Sequence, residues 1–287
     1  MGIQVLEAAA AADVEFLSGG NVAAAMSQVV RLARRQQITH TTDTRPLARR
    51  CTPLVARAVQ VIEQEAADEQ AGKAPQRRRM ALRQVVDVVR ALAALDAAEE
   101  VFPQQLEVLL AAACARIVAS DSPSPQVNEL VWALARARHM PGPPVREAID
   151  HWLQTGGFAA LPADRAVAFL WAAARLHYAT PVARAALHVW QPPRSQLQPH
   201  QLVASLWALA ILGQVDSPSF RHVWAELLER GLPEPSAPAA EKVWSQLHHV
   251  WMAVVLDAPT DVRESLLVRG PGSGRYESLS PPGVDDG

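Results

Sequence analysis

Val131-Trp132-Ala133-Leu134-Ala135-Arg136 returns as Leu170-Trp171-Ala172-Ala173-Ala174-Arg175 and again as Leu206-Trp207-Ala208-Leu209-Ala210-Ile211. The tryptophans are 39 and 36 residues apart, and a weaker fourth copy stands at Val250-Trp251-Met252-Ala253-Val254. A segment recurring at that period is one supersecondary unit that cannot bury its apolar face alone. Copies stack to bury it together. Each copy also carries the i, i+3, i+4, i+7 spacing of an amphipathic helix, as in Val127, Leu130, Val131 and Leu134. We name these B helices.

A second beat lies between them. Pro125, Pro144, Pro162, Pro181, Pro199, Pro218 and Pro238 follow one another at steps of 18 to 20 residues. Each is followed by a tryptophan, namely Trp132, Trp152, Trp171, Trp190, Trp207, Trp224 and Trp244. Proline suits the first turn of a helix, where its missing N–H has no partner to lose. Ser124-Pro125 and Ser217-Pro218 read as an N-cap serine before a first-turn proline. One beat therefore holds one helix and its turn, and two beats hold a pair. The intervening helices, named A, carry Trp152, Trp190 and Trp224 near their ends. The tryptophans share a face with Leu, Val and Ala, and the pattern places them in the seams between helices.

Upstream the pattern is looser. Val89-Arg90-Ala91-Leu92-Ala93 sits 42 residues before the Trp132 copy, with arginine in the tryptophan slot. Asn21 to Arg35 reads as an earlier B helix and Thr52 to Ala67 as an A helix. The reading is an all-α solenoid of stacked helix pairs, period about 36–42 residues, forming a right-handed superhelical stack. Its parts are degenerate repeats over 1–66, a charged insertion over 67–79, the repeat array over 80–256, and a disordered Gly/Pro/Asp tail over 257–287.

Composition narrows the function. Of 287 residues 49% are apolar but only 5% aromatic, so alanine and leucine carry the bulk. No run of eighteen apolar residues reads as a membrane span. Cys51 and Cys114 are too far apart for a metal knuckle and read as small buried residues. Residues 1–16 hold Glu7, Asp13 and Glu15 and no Lys or Arg, the wrong charge for a presequence. No G-x-S-x-G, H-E-x-x-H or C-x-x-C occurs, and Arg269 to Arg275 lacks the G-K-[ST] ending of a phosphate loop. Catalysis, metal, cofactor and small-molecule substrate are not expected.

Net charge is −2, but its distribution is uneven. Residues 31–90 hold thirteen Lys and Arg against six acids, a net +7, whereas the tail from Asp257 carries a net −3. Within the basic stretch Arg34 and Arg35 end a B helix, Arg49 and Arg50 precede an A helix, and Arg77, Arg78, Arg79 and Arg83 open the next B helix. Lined along one edge, they would meet phosphates in series. Solvated helix-end cations favoured by the dipole are the plainer reading. Where helical repeats read bases, one polar position per helix pair does so. The first turns of successive B helices offer Asn128, Arg165 and Gln201 for that role.

The signature L/V-W-A-L-A, about once per 38 residues with proline past the helix end, resembles the octotricopeptide-type and FAST-kinase-like helical repeats. Trp244-Ser-Gln-Leu-His-His-Val-Trp-Met-Ala-Val-Val-Leu256 resembles the last helix before the RAP domain that often follows such repeats. Asn21 to Arg35 resembles their N-terminal helix. No RAP-like segment is read after residue 256. The resemblance spans about residues 20–256. It implies binding of single-stranded RNA in plastid or mitochondrial processing, stability or translation. A cytoplasmic protein-interaction scaffold of the TPR or HEAT kind is the alternative. Steep salt dependence would mark phosphate binding and set the two apart.

Overall fold

The computed structural model describes residues 17–35, 44–72, 79–95, 98–120, 124–192, 196–231 and 240–268. Among these every regular element is a helix. The chain divides into two compact units, residues 1–161 and 162–287.

In the first unit the B helices are α1 (Gly19–Arg35), α4 (Leu82–Ala94) and α7 (Gln126–Ala137). They pack side by side, α4 between its two neighbours. The A helices α3 (Thr52–Gln70), α6 (Pro103–Val118) and α8 (Pro143–Gln154) form a second layer, in which α6 touches α3, α8 and α4. Two short helices, α2 (Arg45–Arg50) and α5 (Ala98–Val101), link the layers. The second unit repeats the plan with B helices α9 (Ala163–Arg175), α11 (Pro199–Ile211) and α13 (Ala240–Asp257) in a row. Its A helices are α10 (Pro181–His188) and α12 (Pro218–Arg230), with α12 packed on α10 and α11. Like helices packing on like, in two layers, is the arrangement of an α-solenoid.

Helix starts follow the sequence signals. Of the expected prolines, Pro181, Pro199 and Pro218 each open a helix, Pro144 is second in its helix after Pro143, Pro162 is the cap residue of α9, and Pro238 lies outside the described residues. Ser217 Oγ accepts from Phe220 N and Thr180 Oγ1 from Ala183 N, both at 3.1 Å. At α7 the start differs: Pro125 is itself the cap residue and Ser124 makes no capping bond.

Helix ends carry a repeat the residues did not announce. His139 N bonds Leu134 O at 3.0 Å, Tyr178 N bonds Ala173 O at 2.8 Å, and Gln214 N bonds Leu209 O at 2.9 Å. Each bond brackets a left-handed residue six positions beyond a B-helix tryptophan: Arg138 (φ 57°), His177 (φ 46°) and Gly213 (φ 68°). This is the Schellman geometry, which turns α7, α9 and α11 off in the same way.

Two boundaries need correction. Residues 67–70, expected in a charged insertion, are the last turn of α3, where Asp68 is buried and accepts from Gln64 Nε2 at 3.0 Å. Within the expected disordered tail, Thr260–Val268 forms helix α14, with Val262 buried. Residues 73–78 and 269–287 lie outside the described residues.

Candidate nucleic-acid interface

The basic stretch is divided by helix direction. Gly19 lies against Met80 and Gly20 against the Gln84 side chain, so α1 and α4 begin together and run parallel. Arg34 and Arg35 are therefore at the far, C-terminal edge of the B layer, whereas Arg79 and Arg83 stand at its N-terminal edge. Fifteen residues of helix separate the two levels, about 22 Å at 1.5 Å per residue. The single basic edge expected from sequence is thus two edges.

Arg49 and Arg50 join the C-terminal group. Thr44 Oγ1 donates to the Leu95 carbonyl at the end of α4, which fixes the start of α2 at that edge. Arg45 Nε pairs with Glu100 at 2.8 Å and anchors α2 to α5. Arg34, Arg35 and Arg49 are exposed and have no ion pair among the described residues, and Arg50 is exposed as well. At the other edge Arg79 lies 3.6 Å from Glu69, and Arg83 is exposed on the first turn of α4. Arg77 and Arg78 lie outside the described residues.

The three first-turn candidates separate by burial. Asn128 is only 2% exposed, turned into the B layer, and cannot meet a base. Arg165 is exposed on α9. Gln201 is half-buried, and its Oε1 accepts from Gln198 N at 2.8 Å, so its amide oxygen caps α11. The same capping role falls to Gln84 on α4, which accepts from Ala81 N at 2.9 Å. A polar first turn here mostly serves the helix itself.

The tryptophans also split. Trp152 and Trp224 of the A helices are buried, 1% and 4% exposed, and Trp224 stacks on Phe220 with ring centroids 6.1 Å apart. Trp132, Trp171, Trp207 and Trp251 of the B helices are half-buried: they pack in the seams and keep part of their surface open to water. The Arg136 guanidinium lies 5.8 Å from the Trp132 ring and that of Arg175 lies 5.2 Å from Trp171. Both arginines are exposed. The same slot holds Arg31 on α1, which is exposed, and Arg90 on α4, which is half-buried. Arg90 is tied down, with Nη1 2.6 Å from Glu129 Oε2 of α7 and 3.5 Å from Asp87. Burial raises the Asp87 carboxyl, and the Arg90 charge opposes that rise. Arginine at a tryptophan's register position was a sequence signal that the slot meets solvent. The i, i+3, i+4 stripe alone does not reveal it, because tryptophan scores as apolar.

Among the described residues no group of His, Cys, Asp and Glu could hold a metal ion, and no helix is long and apolar enough to cross a membrane. Cys51 and Cys114 are buried free thiols, pushed up to about 11 by burial. The architecture defines an all-α helical-repeat protein. No protein-family model and no curated protein matches the chain.

Proposed function

We propose that the protein is a non-catalytic α-solenoid that binds single-stranded RNA, acting on plastid or mitochondrial transcripts as the repeat resemblance implies. One observation supports the reading: Arg34, Arg35, Arg49 and Arg50 are all exposed, and helix direction and the Thr44–Leu95 bond assign both pairs to the C-terminal edge of the first unit's B layer. A row of guanidiniums is suited to phosphates spaced along a strand, and each contact releases counterions. Arg79 and Arg83, at the opposite edge, form a second and smaller basic site.

Fluorescence-anisotropy titration with a mixed single-stranded RNA pool at two salt concentrations tests this. Each phosphate contact on a single strand contributes about 0.7 to the slope of log K against log salt. Four contacts weaken binding about 50-fold between 50 and 200 mM salt. Replacing Arg34, Arg35, Arg49 and Arg50 by Ala should flatten that slope. Binding that ignores salt, or that survives the quadruple variant unchanged, would sink the arginine edge as the site.

A further inference from the structure

The B-helix slot is occupied by Arg31, Arg90, Trp132, Trp171, Trp207 and Trp251 along the chain. Arginine in the first two shows that the layer packs without a ring there. The core is complete behind the slot: Val30, Val89, Val131, Leu170, Leu206 and Val250, one residue earlier, are all buried. Four tryptophans recur at one register position, each partly open to water, where the buried residue behind it does not require a ring. Partly exposed aromatic rings are the surfaces on which single-stranded nucleic acids stack their bases.

Two of these rings carry an exposed arginine at i+4, Arg136 beside Trp132 and Arg175 beside Trp171. A ring with a cation at its face offers a nucleotide both of its needs once the base displaces the guanidinium: a π-face for the base and a positive charge for the adjoining phosphate. We propose that the Trp132–Arg136 and Trp171–Arg175 pairs are base-stacking platforms for single-stranded RNA, each taking one base irrespective of its identity. This rests on the RNA-binding reading above and adds a contact that phosphate binding does not supply.

In the second unit Trp207 stands in the same slot on α11, beside α9. Neighbouring helix axes lie about 8–10 Å apart, whereas stacked bases rise about 3.4 Å, so Trp171 and Trp207 hold separate bases rather than one continuous stack. Trp207 has Ile211 where its neighbours have arginine, and Ile211 is 41% exposed. That platform stacks without a cation. On α4 the slot is closed, because Arg90 is held by Glu129 and Asp87.

The test is anisotropy titration of the full chain with a labelled uridine oligomer and with an abasic ribose-phosphate oligomer of equal length. The intact protein should favour the uridine oligomer by about 5- to 150-fold for each base stacked. Trp132→Leu with Trp171→Leu keeps apolar bulk while removing the rings, and should erase most of that preference. Trp132→Phe with Trp171→Phe should restore part of it. Circular dichroism on every variant separates loss of a ring from loss of the fold. Equal affinity of the intact protein for both oligomers overturns the platforms and leaves the arginine edge standing. Failure to bind either oligomer overturns both readings and gives the tryptophan face to a protein partner.

Discussion

Arg116 of α6 donates from Nη2 to Glu65 Oε2 of α3 at 2.6 Å, and from Nε to the Met80 carbonyl before α4 at 2.7 Å. The two side chains are 13% and 17% exposed, and Met80 N donates back to the same carboxylate. One ion pair therefore joins both A helices to the start of a B helix. Burial pulls the Arg116 pKa down and the Glu65 charge opposes that. Removing only one partner strands the other. We expect Arg116→Met to cost about 3–5 kcal/mol in urea unfolding. Because the two single changes disrupt one pair, Arg116→Met with Glu65→Gln should cost clearly less than their sum.

Two tryptophans separate the seams from the surface. Trp152 packs against Gly157 at 1% exposure, and Trp152→Ala should cost about 3–5 kcal/mol. Trp171, half-buried with Arg175 over its ring, should lose only about 1–2 kcal/mol on the same change. Equal losses in thermal melting would return Trp171 to the core and remove the ground for a stacking platform.

The repeat was legible because proline stands at or just before many helix starts and tryptophan recurs within the helix that follows, and their spacing survives where other residues vary. Helix direction was not legible. Whether Arg35 and Arg83 share an edge depends on α1 and α4 running parallel, which the Gly19–Met80 and Gly20–Gln84 approaches settle. Asn128 looked like a reading residue because first turns are polar, yet its register position is that of buried Val86, Val167 and Val203. The last turn of α3 was missed because Asp68 and Glu69 suggest solvent, whereas Asp68 is buried with a partner one turn away.

Asn128 should therefore behave as a packing fault. Its Oδ1 is buried without a hydrogen-bond partner, which costs about 1–3 kcal/mol for a polar group removed from water. Asn128→Val, the residue at that register in three other B helices, should raise the unfolding free energy by about 1 kcal/mol. RNA affinity should not move. A loss of affinity in a folded Asn128→Val protein would restore it as a contact.

The left-handed helix ends allow a similar gain. His177 takes φ 46° where the matching position of the next repeat is Gly213 at φ 68°. A residue with a Cβ pays about 1–2 kcal/mol in that region, partly offset because glycine loosens the unfolded chain. We expect His177→Gly to be neutral to stabilising, by up to about 1 kcal/mol, and His177→Val to be destabilising, both read from urea midpoints. Destabilisation by glycine alone would mean that the imidazole contributes more than its backbone strain costs.

Alkaline pH tests the burial of the thiols. Cys51 and Cys114 titrate near 11 in the folded chain against 9.0 for an ordinary thiol, because burial penalises the thiolate. Below pH 9 both states hold the proton and the thiols have no effect on the pH dependence. Between 9 and 11 the unfolded chain binds fewer protons than the folded one, so stability falls as pH rises. Each thiol contributes a slope of about 1.4 kcal/mol per pH unit at most. Cys51→Ala with Cys114→Ala should lower stability at neutral pH through lost packing and yet flatten that alkaline decline. If the decline keeps its slope in the double variant, other groups carry it and the two thiols are more open to water than their 3% and 7% exposure indicates.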